Sequence, residues 1–252
     1  GHRFPSPRPA PGIDSITPSC LQIITAFSRL RPQRIRYAPI RFHIAPLLYY
    51  LCITMKNRDI LFDDSLSLLR SMIKTPSFSR EEEGTAAVIE AFMRDVGIVP
   101  RRAGNNVFAF AEDYDPTRPT VLLNSHHDTV KPNAGYTRDP FSPDIEDGTL
   151  FGLGSNDAGA SVVSLLAAFR EFHDNRNLRF NLCIALTAEE EVSGKGGIES
   201  LLPLLGNIEL AVVGEPTGMN PAIAERGLMV VDCTCRGTGG HAARKEGDNA
   251  IY

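Results

Sequence analysis

Apolar positions along the chain recur with two periods. Leu66, Leu69 and Ile73 share one helix face, and Pro76 ends that helix. Ser79 followed three residues later by Glu82 has the form of a capping box, predicting a second helix through Val88, Phe92 and Val96 to a terminal Gly97. Short strands are predicted over 98–101 and 106–111, and the unbroken apolar run over 120–124 reads as a strand buried on both faces. Val162, Leu165, Leu166 and Phe169 mark a helix over 158–172. A strand over 180–187, a helix over 197–205 and a strand over 209–213 complete an alternating order. That order predicts an α/β fold: a mainly parallel, mixed sheet with helices on both faces.

The pattern changes after Glu215 and Pro216. Residues 228–236 alternate as a half-buried strand does, with Val230, Asp232 and Thr234 facing one way and Met229, Val231, Cys233 and Cys235 the other. A glycine-rich turn over 237–240 leads to His241 and a helix start near Asp248. One strand and the first residues of a helix cannot form a core, so 225–252 is expected to open a second, truncated α+β domain after a larger first domain over 55–224.

Charge separates the head of the chain from the rest. Residues 1–54 hold seven Arg, no Lys and one acid, Asp14, for a net +6, whereas the remaining 19 basic and 29 acidic residues leave −10. The head also holds Pro5, Pro7, Pro9 and Pro11 and shows no sustained periodicity. Globular sequence begins near Met55, so 1–54 is expected to be a disordered or non-native extension, with a transit peptide as the alternative. The apolar run over 45–54 is too short to span a bilayer, and no membrane partner is expected. The acidic balance of 55–252 argues against nucleic acid. Five cysteines without CxxC spacing support neither a disulfide framework nor a thiolate zinc site, and fit a reducing, cytoplasmic setting.

Acid and imidazole side chains cluster at the ends of the apolar runs. His126 and Asp128 follow TVLLNS, Asp157 follows LFGLGSN, Glu190 and Glu191 follow FNLCIALTAE, and Glu215 follows IELAVVG. Each has a plainer reading: a structural histidine, a helix N-cap at Asp157, a solvated acidic face over 189–191, a strand cap at Glu215. Together at one sheet edge, where open α/β sheets place their sites, they would repel one another unless a cation held them. The predicted centre is therefore a metal site. Consecutive acids pointing different ways allow one to bind metal while its neighbour moves a proton.

The stretches SHHDTVKP, TRDPFSPDIEDGTLFGLGSND, TAEEEVSGKGG, VVGEPT and ERGLMVVDCTCRGTGGHAARKEGDNAI resemble, in type, order and spacing, a family of dinuclear zinc deacylases and exopeptidases. That family includes acetylornithine deacetylase, succinyl-diaminopimelate desuccinylase, aminoacylase and carboxypeptidase G. The resemblance implies two Zn²⁺ per complete subunit, with Co²⁺ as a substitute: His126 and Glu215 would hold one, Glu191 the other, and Asp157 would bridge. Glu190 would be the general base, Asp128 would orient His126, and His241 would reach from a lid domain into the partner's site of a homodimer.

HHDTVKP, YTRDPF, GLGSND and VGEPT are most similar to the acetylornithine deacetylase branch, implying an N-acyl amino acid substrate and a place in arginine biosynthesis. The desuccinylase and a metallo-exopeptidase are the alternatives, and an inactive metal-binding fragment is the non-enzymatic one. Two departures stand out. Asp157 is followed by Ala158 and Gly159 where the family often has Met-Lys, and the family's last zinc-ligating histidine has no counterpart, so the chain is expected to be partial and short of full activity.

Overall fold

In the computed structural model, which describes residues 15–16, 58–218, 220–224, 231 and 233–239, the chain divides into two units, Gly1–Met219 and Asn220–Tyr252. The first unit runs β1 (Ser15–Ile16), α1 (Arg58–Lys74), α2 (Glu83–Asp95), β2 (Arg101–Ala103), β3 (Asn106–Phe110), β4 (Thr120–His126), β5 (Ile145–Glu146) and β6 (Thr149–Phe151). It continues with α3 (Ala160–Phe172), β7 (Asn181–Thr187), α4 (Ile198–Leu201) and β8 (Ile208–Val213).

The main sheet has the order β2-β3-β7-β4-β8. Strands β7, β4 and β8 are mutually parallel, while β2 and β3 pair antiparallel on one side, so the sheet is mixed as expected. β7 is buried along its whole length, which explains its unbroken apolar sequence. Register aligns His126 with Thr187 and Asn124 with Val213, so the three parallel strands end at one edge. A small sheet, β1-β6-β5, lies apart from this one. Asp157 therefore arrives from the turn before α3 rather than from a strand of the main sheet.

The two faces are covered unequally. Alternate residues of β3 and β7, such as Val107, Ala109, Leu182, Ile184 and Leu186, pack with α1, α2 and α3 around Leu69, Ile89 and Phe169. Phe108, Leu122, Cys183 and Ala185 face Leu201 of the short α4 and Leu205 beyond it. The helix expected over 197–205 is one α-turn followed by a tighter turn over Leu202–Leu204, because Pro203 has no N–H for an α-helical bond. Pro100 likewise excludes 98–100 from the sheet, and β2 begins at Arg101.

The expected capping box does not form. Helix α2 begins at Glu83 with no side-chain cap bond. The Ser79 hydroxyl donates instead to Asp128, and the Glu82 carboxylate is buried among donors from three segments. At the other end Gly97 takes a positive φ of 83°, as a helix-terminating glycine does, and Ile98 N–H donates to Met93 O.

In the second unit, Val231 and residues 233–236 of the strand expected over 228–236 are described and form no strand. Cys233 and Cys235, expected as packing residues, are exposed, since no sheet face among the described residues covers them. The rest of that strand, His241 and the helix start near Asp248 lie outside the described residues, as do the head residues other than Ser15–Ile16. No described helix is long and apolar enough to cross a membrane.

Phe169 is 0% exposed at the centre of the larger core. Phe169→Ala is expected to cost about 3–5 kcal/mol, and Phe62→Ala, at a residue 41% exposed, far less. Urea unfolding of both variants, read at constant m-value, checks the difference.

Candidate metal centre

His126 is the floor of the site. As the last residue of β4 it is 1% exposed, and its two ring nitrogens look in opposite directions. Nδ1 lies 3.0 Å from the backbone oxygen of Asp128 and 3.4 Å from its carboxylate Oδ1. A proton on Nδ1 satisfies those acceptors and leaves Nε2 to face the carboxylates. Nε2 is 3.1 Å from Asp157 Oδ1 and 3.8 Å from both Glu215 Oε2 and Glu190 Oε2.

Each carboxylate is delivered by a different element. Asp157 lies in a wide turn over Ser155–Gly159, with φ −113° and ψ 97° outside the helical range. It caps no helix, because α3 starts three residues later behind Gly159. The turn fits because its glycines lack side chains. A Cβ at Gly159 would lie 2.6 Å from Gly154 O and 2.7 Å from Leu69, and Gly154 itself has a φ of +71°. This close packing accounts for the glycine two residues after the aspartate. Glu215 stands two residues beyond β8, which Gly214 joins to β4 through an N–H donated to Asn124 O.

Glu189, Glu190 and Glu191 follow β7 and diverge as expected. Glu189 turns back in a left-handed conformation (φ 56°), with its carboxylate against Gly194 and Gly196. The Glu190 side chain is 53% exposed and reaches over His126. Glu191 is half-buried and stands outside the tightest group. Beneath them Asp128, 0% exposed, takes the amide of Glu190 at Oδ1 (3.0 Å), and the amide of Glu191 (3.2 Å) and the Ser79 hydroxyl (2.8 Å) at Oδ2. His127 faces away from the cluster, with Nε2 3.0 Å from Asn105 O and Nδ1 3.1 Å from Thr85 Oγ1.

Protonation equilibria register the crowding of acids. For His126, burial opposes the charge, but hydrogen bonds to Asp128 and Asp157, with Glu215 nearby, push the imidazole up to about 11. Burial, then the surrounding acids, lifts Glu215 to about 7 against the pull of His126. Burial and then Asp157 raise Glu191 as well. Asp128 moves the other way. Burial opposes its ionisation, yet hydrogen bonds from His126, Ser79 and the Glu190 amide hold it below the usual carboxylate range. Burial alone dominates at His127, lowering it to about 4 and keeping the ring neutral.

A cation held among these groups would compensate the acids gathered around His126. Donor atoms of His126, Asp157 and Glu215 lie within 4.8 Å of one another, and a nitrogen-oxygen set of this kind suits Zn²⁺. The residues therefore fit a metal. Asp157 acts electrostatically on both Glu215 and Glu191, raising each. Residues that sequence reasoning missed are Ser79, Glu82, Asn105 and Glu189, which support the site through backbone amides and buried hydrogen bonds.

A sequence model of "Peptidase family M20/M25/M40" matches residues 122–236, which include His126, Asp128, Asp157, Glu190, Glu191 and Glu215 but not His241. Succinyl-diaminopimelate desuccinylases from two strains of Cereibacter sphaeroides are 30% and 31% identical over 195 residues, covering 71% of this chain and 51% of each relative. The chain spans about half the length of these curated relatives. Among solved structures, the M20 family metallo-carboxypeptidase Sso-CP2 of Sulfolobus solfataricus is 23% identical, with a TM-score of 0.48 over 59% of this chain and 36% of that one.

His126→Ala is expected to weaken zinc uptake by more than the roughly 10- to 100-fold that losing an outer hydrogen-bond partner costs a metal site. Titration of chelator-stripped protein against a competing zinc indicator measures this. An unchanged affinity would remove His126 from the site.

Proposed function

We propose, from the match of residues 122–236 to a sequence model of peptidase family M20/M25/M40, that the chain supplies the metal-binding part of a hydrolase that cleaves the amide bond of an N-acyl amino acid. The observation that carries this reading is the convergence of a buried imidazole and carboxylates from β4, the turn before α3 and the end of β8, with a half-exposed Glu190 beside them. In this reading His126, Asp157 and Glu215 hold one cation, and Glu191 with Asp157 holds a second. Zinc is the preferred ion, and Co²⁺ is the substitute.

A bound divalent cation supplies positive charge that lowers the pKa of an adjacent water and polarises an amide carbonyl. The protein's residues do the rest. Glu190, exposed enough to meet solvent and substrate, accepts the proton of the attacking water and returns it to the leaving nitrogen. Asp128 fixes the His126 ring through Nδ1 and, through the Glu190 amide, fixes the base relative to the imidazole.

Two substrates are in contention. The motifs around His126 and Asp157 favour N-acetylornithine, and the desuccinylase relatives favour N-succinyl-diaminopimelate. A homodimer in which His241 serves the partner's site belongs to the same reading and rests on family resemblance. A non-catalytic metal-binding role, built around one zinc held by His126, Asp157 and Glu215, is the second reading.

Purified protein is expected to hydrolyse one of these substrates, to lose the activity to EDTA and to regain it with Zn²⁺. A metallo-exopeptidase is the further alternative, so turnover of neither substrate and of no dipeptide, with zinc bound, would select the non-catalytic reading. Glu190→Gln is expected to lower kcat by roughly 10²- to 10⁴-fold while zinc uptake persists; undiminished kcat would exclude Glu190 as the base.

A further inference from the structure

Four consecutive amides, those of residues 188–191, donate to side chains from elsewhere in the chain. Ala188 N donates to Asn106 Oδ1 (2.9 Å), Glu189 N to Glu82 Oε1 (3.2 Å), Glu190 N to Asp128 Oδ1 (3.0 Å) and Glu191 N to Asp128 Oδ2 (3.2 Å). All three receiving side chains are 0% exposed. The acidic segment is therefore suspended from buried acceptors rather than from a helix or a ladder.

Glu82 is the least expected of the three. Among the described residues it has no ion-pair partner, so its carboxylate is compensated by N–H donors alone. Oε1 receives both Arg80 N (2.5 Å) and Glu189 N, and Oε2 receives Asn105 Nδ2 (2.8 Å). The two backbone donors share an unusual feature: Arg80 (φ 75°) and Glu189 (φ 56°) are both left-handed residues with side chains. Such conformations persist only where the surroundings over-determine them. One carboxylate holds both, and the second one directs the chain so that Glu190 turns toward His126.

We infer that Glu82 is a positioning residue for the acidic segment: by receiving the Glu189 amide it sets where Glu190 and Glu191 stand relative to His126 and Asp157. The inference rests on the proposed roles of Glu190 and Glu191 for its catalytic consequence, though not for its structural one. His126, Asp157 and Glu215 come from other elements, so loss of Glu82 should spare them and act on Glu190 and Glu191.

The test is hydrogen–deuterium exchange of metal-free protein, wild type against Glu82→Ala and the isosteric Glu82→Gln, which keeps Oε1 as an acceptor and sets a second donor against Asn105. If Glu82→Ala fails to fold, Glu82→Met, which fills the same space with no acceptor for the Glu189 amide, decides in its place. In either of these two variants exchange in peptides covering 188–192 is expected to rise about tenfold or more, with peptides of β4 and α3 unchanged. In parallel, kcat should fall about 10- to 100-fold with KM within twofold, and Glu82→Gln with Asn105→Asp, which restores a donor–acceptor pair, should recover most of it. Unchanged exchange over 188–192 in a folded variant would overturn the inference, whether or not the protein proves to be a hydrolase. So would faster exchange spread evenly over the sheet. If the wild type shows no turnover, the functional reading fails and the exchange result still judges Glu82.

Discussion

A carboxylate removed from water must be surrounded by donors, and Asp128 is the point at which this requirement organises the site. Its side chain, wholly buried, faces the imidazole of His126, the hydroxyl of Ser79 and the amides of Glu190 and Glu191. Those donors belong to the end of β4, the approach to α2 and the segment after β7. An uncompensated charge there would cost several kcal/mol, so each donor is held in place by the cost of losing it. The same contacts orient His126 Nε2 toward Asp157, and the rim of half-exposed acids follows from that orientation.

The sheet makes this arrangement possible. Parallel strands β7, β4 and β8 must end together, and chain leaving such an edge is free of ladder bonds. Amides after β7 therefore need other acceptors, and Asn106, Glu82 and Asp128 provide them from below. The acids they carry are pressed towards one imidazole. Burial and then the neighbouring acids raise Glu215, hydrogen bonds to Asp128 and Asp157 raise His126 against burial, and a divalent cation would compensate the acids.

How much of this was legible in the sequence depended on whether a residue acts locally. The strands announced themselves as apolar runs, and His126 and Glu215 could be placed because each stands at the end of one, whereas Asp157 stands in the turn before α3. The glycines around Asp157 gain their reason from the structure, where Leu69 and the Gly154 carbonyl approach Gly159. Ser79 and Glu82 misled. Their spacing is that of a capping box, yet both side chains act on residues 49 and 107 positions away, where buried partners outweigh a helix end. The left-handed turn at Glu189 had no sequence signal, since glutamate is not a residue that prefers it. Pro100 and Pro203 were visible, but their effect on the neighbouring strand and helix was underestimated.

The central claim is that the described acids and imidazole form a pre-arranged, sulfur-free cation site. X-ray absorption at the zinc edge of the loaded protein tests it most directly. The account predicts a first shell of nitrogen and oxygen at about 2.0–2.2 Å, with the outer scattering of one imidazole. Sulfur at about 2.3 Å, or no tightly held zinc, would contradict it.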